Sequence, residues 1–227
     1  MKTPLFCMSL LACISASPLS CDTTEAQERV HRLYKHYCKT PSDINEHVPV
    51  LKSLAKECSS VIEMGMRSMV SSWGILQGLS ENPSSSRSYV GIDINSPPIE
   101  SLELAKHLAN DFGISFDFWQ ANNMTVDIEP TELLFIDTYH TYLHLTYELE
   151  KFSPKVTKYI AMHDTSWPYG ESDEGPNGDD SLYPPEFDRN KRGLWLAVLD
   201  FLERHPEWAL HERRFNNHGF TILKRKH

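Results

Sequence analysis

The chain has 227 residues, enough for one α/β domain with a full core and too few for two large domains. Its 40% hydrophobic and 23% charged residues are an ordinary globular composition. A formal net charge of −9 argues against nucleic acid as a partner, because neutralising phosphates needs a basic face.

Residues 1–21 form a signal-like segment. Lys2 is followed by an apolar run from Leu5 to Ala16, then by small residues and Pro18. The run is too short for a comfortable membrane span, and no other stretch offers one. Its presence implies export or membrane association; a chain that does not use it would be cytoplasmic. Cys38 and Cys58 lie on separate predicted helices and are read as free thiols or, after export, as a pair.

Residues 22–227 read as a single domain that opens with helices over 22–58. Asp22 to Cys38 is amphipathic, with Val30, Leu33, Tyr34 and Tyr37 on one side. A second helix runs from Val48 to Lys56, with Pro49 in its first turn. Ser60 to Glu63 is a short strand ending at Gly65. Met69, Trp73, Leu76 and Leu79 then have helical spacing. A strand that turns at glycine into a helix lets the backbone approach a ligand, and the helix start favours negative groups. The second strand, Tyr89 to Asp93, ends in an acid that suits ribose hydroxyls. Ser96 and Pro97 predict the start of the next helix and Gly113 its end. Phe116 to Trp119 is a third strand, followed by a ligand-side loop at Asn122 and Asn123.

The stretch from Glu132 to Trp167 carries the clearest pattern. Leu133 to Ile136 is an apolar run ending in Asp137, a helix-period segment follows, and Tyr159 to Met162 ends in His163-Asp164-Thr165. In an open parallel sheet the carboxyl ends of strands are where ligands bind, so Asp137, His140, His163 and Asp164 are expected to share one crevice. His140 is read one helical turn past Asp137, and His144 one turn further on the same face. Residues 166–192 form a long acidic Pro- and Gly-containing insert, read as a lid. A helix over Gly193 to His205 and a hairpin turning at Asn216 to Gly219 end the chain.

Five β-α units closed by an antiparallel hairpin, with Ile62-Glu63-Met64-Gly65, Gly91-Ile92-Asp93 and the strand ending at Asp137, resemble the class I S-adenosylmethionine-dependent methyltransferases. The likeness runs from about Ser42 onward. It is strongest to the small subgroup related to macrolide-sugar and rhamnosyl O-methyltransferases, through Asp137-Thr-Tyr-His140-Thr-Tyr-Leu-His144 and His163-Asp164-Thr165. Met66, Arg67 and Ser68 stand where that family often has glycines.

The resemblance implies an α/β, Rossmann-like methyltransferase sheet, mostly parallel with a C-terminal antiparallel hairpin and helices on both faces. It implies S-adenosylmethionine as cofactor, with Glu63 and Gly65 beside its methionine part, Asp93 on the ribose and Asn122, rather than Asn123, near the adenine. It implies a divalent metal at Asp137, His163 and Asp164, although His163 replaces the usual acid, and imidazole favours later transition metals. The expected reaction is methyl transfer to a hydroxyl of a small molecule or sugar. His140 would be the base and Asp137 its partner. The alternative is a non-catalytic ligand-binding protein of the same fold, a reading that the signal-like segment supports.

Overall fold

The protein is described by a computed structural model covering residues 20–176 and 180–226. Most of the signal-like segment, residues 1–19, lies outside the described residues. The helices are α1 (Ser20–Lys39), α2 (Val48–Lys56), α3 (Val70–Glu81), α4 (Ile99–Asp111), α5 (Tyr142–Phe152) and α6 (Leu194–Arg204). The strands are β1 (Ser60–Met64), β2 (Arg87–Asp93), β3 (Ile114–Gln120), β4 (Thr131–Ile136), β5 (Val156–His163), β6 (Trp208–Arg214) and β7 (Phe220–Arg225). Among the described residues no helix is long and apolar enough to cross a membrane.

The seven strands form one sheet in the order β3-β2-β1-β4-β5-β7-β6. The first five are mutually parallel, and β7 runs antiparallel between β5 and β6. This is the expected sheet, hairpin included.

Alternation along the central strands divides the core. Val61, Leu133, Phe135, Tyr159 and Ala161 face one apolar cluster, shared with α1 to α4. Their neighbours Ile62, Leu134, Ile136, Ile160 and Met162 face a second cluster, shared with α5 and α6. Both faces are covered, which is why these strands read as unbroken apolar runs. Full burial of each such side chain contributes roughly 1.5–3 kcal/mol. Helices α2 and α3 meet closely because Gly78 has no side chain: a Cβ there would lie 2.3 Å from the Lys52 carbonyl oxygen.

The structure corrects local expectations at two helix starts and settles the state of the two cysteines. Helix α4 begins at Ile99, and Ser96 does not cap it; its hydroxyl reaches the Pro97 carbonyl instead. Ser96 and Pro97 each precede a proline, whose ring drives the preceding residue out of helical backbone. Helix α5 begins at Tyr142 behind Thr141, whose side chain accepts the His144 N–H at 3.2 Å. His140 therefore lies in the loop before α5, and the shared helical face expected for His140 and His144 does not exist. Cys38 and Cys58 are both free thiols.

Phe135 is fully buried at the centre of the sheet, whereas Ile99 is 63% exposed. Phe135→Ala is expected to cost about 3–5 kcal/mol of unfolding free energy in urea titration. Ile99→Ala is expected to change it by no more than about 0.5 kcal/mol.

Candidate functional site

Strand order reverses between β1 and β4, so their carboxyl ends diverge into a crevice. Register brings Met64 level with Ile92 and Ile136, which sets Gly65, Asp93 and Asp137 side by side at its floor. Gly65 has φ +88°, and a Cβ there would lie 1.8 Å from the Asp137 carbonyl oxygen. Only glycine permits this crossing.

The loop from Gly65 to Met69 is held tightly. Asp93 Oδ2 accepts the backbone N–H groups of Met66 and Arg67, each at 2.8 Å, and Oδ1 accepts that of Asn95 at 2.8 Å. The Arg67 guanidinium donates to Asp43 at 2.5 Å. Met66 is buried across Gly91, where an added Cβ would meet its sulfur at 2.0 Å. The cavity left between this loop and Asp137, Thr138 and His140 is about 80 Å³. Asn122 lies in the loop after β3, next to Asp93 through the Ala121 N–H to Asp93 carbonyl bond, and its side chain accepts the Met124 N–H at 2.9 Å.

Glu63 does not open onto this crevice. It is fully buried, and its carboxylate accepts the hydroxyls of Ser71, Ser72 and Tyr89. Burial raises its pKa to about 7, against the opposing effect of the three donors. Glu63 thus ties α3 and β2 to β1 beneath the crevice.

The second half of the site lies past β4 and β5. His140 Nε2 is 3.4 Å from Asp137 Oδ1 and 3.0 Å from Asp164 Oδ2, and its Nδ1 is 3.0 Å from Glu174 Oε2 in the segment between β5 and α6. The His140 ring stacks on Tyr169, in the same segment, at 4.7 Å between centroids. His163 Nδ1 is 3.5 Å from Asp137 Oδ1 and 3.0 Å from Asp164 Oδ2. His218, from the β6–β7 turn, approaches Asp164 Oδ1 at 3.1 Å. The structure therefore brings all four expected residues together and adds Glu174 and His218. Burial alone would lower the pKa of His140, but Asp137 and Asp164 outweigh it and raise it to about 10. Likewise, His163 is held well above its ordinary value, and Asp137 and Asp164 are held low by the histidines despite burial.

His144 belongs to a separate buried network. Its Nδ1 is 3.1 Å from the Tyr183 hydroxyl and its Nε2 is 3.1 Å from Asn123 Nδ2. Burial lowers its pKa to about 4. Asn123 and Thr138 both donate to Glu148 Oε1, and burial pushes Glu148 up to about 8. Asn123 thus faces this network. A cavity of about 10 Å³, the size of one water, lies among Asp137, His140, Glu148 and His163. Sequence reasoning missed Glu148, although its i, i+4 spacing from His144 was readable. Glu174, Tyr183 and His218 carried no local signal.

No protein-family model and no curated protein matches the chain. Solved structures do match. A methyltransferase from Geobacter sulfurreducens aligns over 95% of this chain and 92% of its own at 13% identity, with a TM-score of 0.52. An O-methyltransferase from Bacillus cereus in complex with SAH aligns over 89% and 91% at 13% identity, with a TM-score of 0.50. A protein from Corynebacterium glutamicum aligns over 94% of both chains at 17% identity, with a TM-score of 0.52. At such identities the likeness is one of fold, and that fold is the Rossmann-like one of class I S-adenosylmethionine-dependent methyltransferases.

The protonation of Glu63 gives the site a testable pH signature. Its unfolded pKa is near 4.5 and its folded value about 7, so between these the folded state holds a proton that the unfolded chain releases. The associated stability is complete below pH 4.5 and is lost as pH rises through 7. Relative to wild type, Glu63→Gln is expected to gain on the order of 3 kcal/mol between pH 4.5 and 7.5 in paired denaturant titrations. A constant difference across that window would refute the assignment.

Proposed function

We propose that this chain is an S-adenosylmethionine-dependent methyltransferase that methylates a hydroxyl of a small molecule or sugar. The observation that carries the reading is the level alignment of Gly65, Asp93 and Asp137 around the switch point, with His140 three residues beyond Asp137. On this reading Gly65 and Asp93 hold the methionine and ribose parts of the cofactor, and Asn122 lies on the adenine side. Glu63 supports that floor from below.

The residues fit the cofactor in kind. A carboxylate has about four acceptor sites, and backbone amides fill three of those on Asp93. The 80 Å³ cavity is smaller than the roughly 300 Å³ or more of ordinary ligand sites, so Met66 and the Gly65–Met69 loop must yield on binding. Bound, the cofactor supplies an electrophilic methyl group on a sulfonium. The chain's own residues orient the acceptor and remove its proton.

His140 is the base in this reading, and Asp137 and Asp164 stabilise the imidazolium that results. The same carboxylates hold His140 charged near neutral pH, so its proton must leave before it acts. The metal assignment fits the donor set: the carboxylates and ring nitrogen of Asp137, His163 and Asp164 lie within 4.8 Å of one another. A divalent ion held by these residues would lower the pKa of an acceptor hydroxyl and offset the negative charge around His140.

A second reading, a non-catalytic ligand-binding protein of this fold, is favoured by the backbone amides that already occupy three acceptor sites of the Asp93 carboxylate and by the seat of Met66 across Gly91. The signal-like segment points the same way, since export would separate the chain from a cytosolic methyl donor. Calorimetry with S-adenosylmethionine and S-adenosylhomocysteine separates the two, with saturable binding of both expected for the enzyme. Absence of binding by either removes the enzyme reading.

Asp93→Ala is expected to weaken cofactor binding roughly 10-fold or more, the scale of a lost hydrogen bond to a charged group. His140→Ala is expected to keep that affinity within about twofold while lowering turnover on a panel of polyols and sugars by about 10²–10⁴. Unchanged turnover would take His140 out of the mechanism.

A further inference from the structure

Glu148 on α5 is fully buried, and its two carboxyl oxygens are held differently. Oε1 accepts the Thr138 hydroxyl at 2.8 Å and one amide hydrogen of Asn123. Oε2 is buried with no hydrogen-bond partner among the described residues. An ionised carboxylate only accepts, and a bare buried oxygen leaves its charge unanswered. A protonated carboxyl has a place for each atom: Oε1 takes the two donors, and Oε2 carries the hydrogen. Glu148 lines the cavity of about 10 Å³ together with Asp137, His140 and His163, and that cavity has room for one water to receive the hydrogen.

The neighbouring charges do not replace that proton. On α5, His144 Nε2 is 3.6 Å from Glu148 Oε1, but it takes the other amide hydrogen of Asn123, and burial keeps the ring neutral with a pKa of about 4. Tyr183, from the segment between β5 and α6, reaches the far nitrogen of His144 at 3.1 Å. Lys151 spends its ammonium on the carbonyls of Asn123 and Met124, at 3.0 and 2.8 Å. Across the cavity, charged His140 favours an anion at Glu148 and Asp137 opposes one. His140 Nε2 is itself turned to Asp137 and Asp164, and His163 Nδ1 to the same two carboxylates. From α6 the cavity receives Leu194, which brings no charge. Burial outweighs these effects and raises the Glu148 pKa to about 8.

The two donors on Oε1 come from the two loops that flank the crevice. Asn123 follows Asn122 in the loop after β3, which the proposed function sets beside the adenine, and Thr138 follows Asp137 in the loop after β4. The water-sized cavity and the crevice cavity share Asp137, Thr138 and His140, so these three residues form the wall between them. We propose that Glu148 is a positioning residue of the site and works as a neutral acid. Its Oε1 clasps the loop after β3 to the loop that carries Asp137 and His140, and its Oε2 hydrogen supports that second loop through one water. The clasp is independent of the methyl donor; only its effect on cofactor binding rests on the methyltransferase reading.

Infrared spectra of the wild-type chain, Glu148→Gln and Glu63→Gln test the protonation, since both buried glutamates contribute acid carbonyl bands. The expected result is a carboxylic-acid band that survives in Glu63→Gln, is absent from Glu148→Gln and fades as pH rises through about 8. Amide hydrogen exchange tests the clasp. Glu148→Gln copies the neutral acid and should keep wild-type protection at 122–126 and 138–141, whereas Glu148→Ala should lose about tenfold or more at both loops together. Calorimetry with S-adenosylhomocysteine should place Glu148→Gln within about twofold of wild type and Glu148→Ala about tenfold or more weaker. The proposal is overturned by a wild-type chain without a Glu148-dependent acid band, by a Glu148→Gln chain that loses the protection or does not fold, or by a Glu148→Ala chain that keeps it. In a chain that binds S-adenosylhomocysteine, unchanged affinity in Glu148→Ala overturns it too. Should Glu148→Ala fail to fold, Thr138→Val removes one donor in its place, and unchanged protection at 138–141 then overturns the clasp. A wild-type chain that passes the infrared and exchange tests but binds no S-adenosylhomocysteine removes the methyltransferase reading and leaves the clasp standing.

Discussion

Everything at the carboxyl edge of the sheet depends on one close crossing. Gly65 leaves β1 against the main chain of Asp137, and the Asp137 N–H donates to the Met64 carbonyl at 2.8 Å. That contact fixes the height at which the loop after β1 and the loop after β4 begin. The Asp93 carboxylate then reaches the Met66 and Arg67 amides, and His140 reaches Asp137 and Asp164. A side chain at position 65 would push the two loops apart and separate the halves of the site.

Much of this was legible in the sequence because it is written in local patterns. Apolar runs such as Leu133 to Ile136 name buried parallel strands, and the acid or histidine after each run falls on the binding edge by topology alone. What failed was local chemistry in competition with neighbours. Ser96 has a capping side chain, but two successive prolines deny it the helical turn it would cap. Glu63 sits in a motif that suggests a ligand, yet its strand face turns it toward Ser71, Ser72 and Tyr89. His218 and Glu174 were beyond reach because each meets its partner only after the sheet has brought distant segments together.

The edge also concentrates backbone strain. The described non-glycine residues with positive φ are Arg67, Met69, Asp164, Asn217 and His218, and all five lie in the loops around the crevice. Each costs about 1–3 kcal/mol and persists only where its surroundings over-determine it. Here those surroundings are the Asp43 ion pair for Arg67, the histidine pair around Asp164, and the two imidazoles that grip the Asn217 carbonyl. The two core clusters supply the stability that lets such an edge exist, which is consistent with a crevice shaped for chemistry and not for rigidity.

The position of the β6–β7 turn in the chain sets an order of events. Strand β5 must wait for β7 to pair along its outer side, and His163 for the Asn217 carbonyl that aims its ring. During synthesis Asp137, His163 and Asp164 leave the ribosome more than fifty residues before Asn217 does. A nascent chain therefore carries these groups without the support that orients them, and the histidine and acid cluster matures only when the final hairpin closes on the sheet.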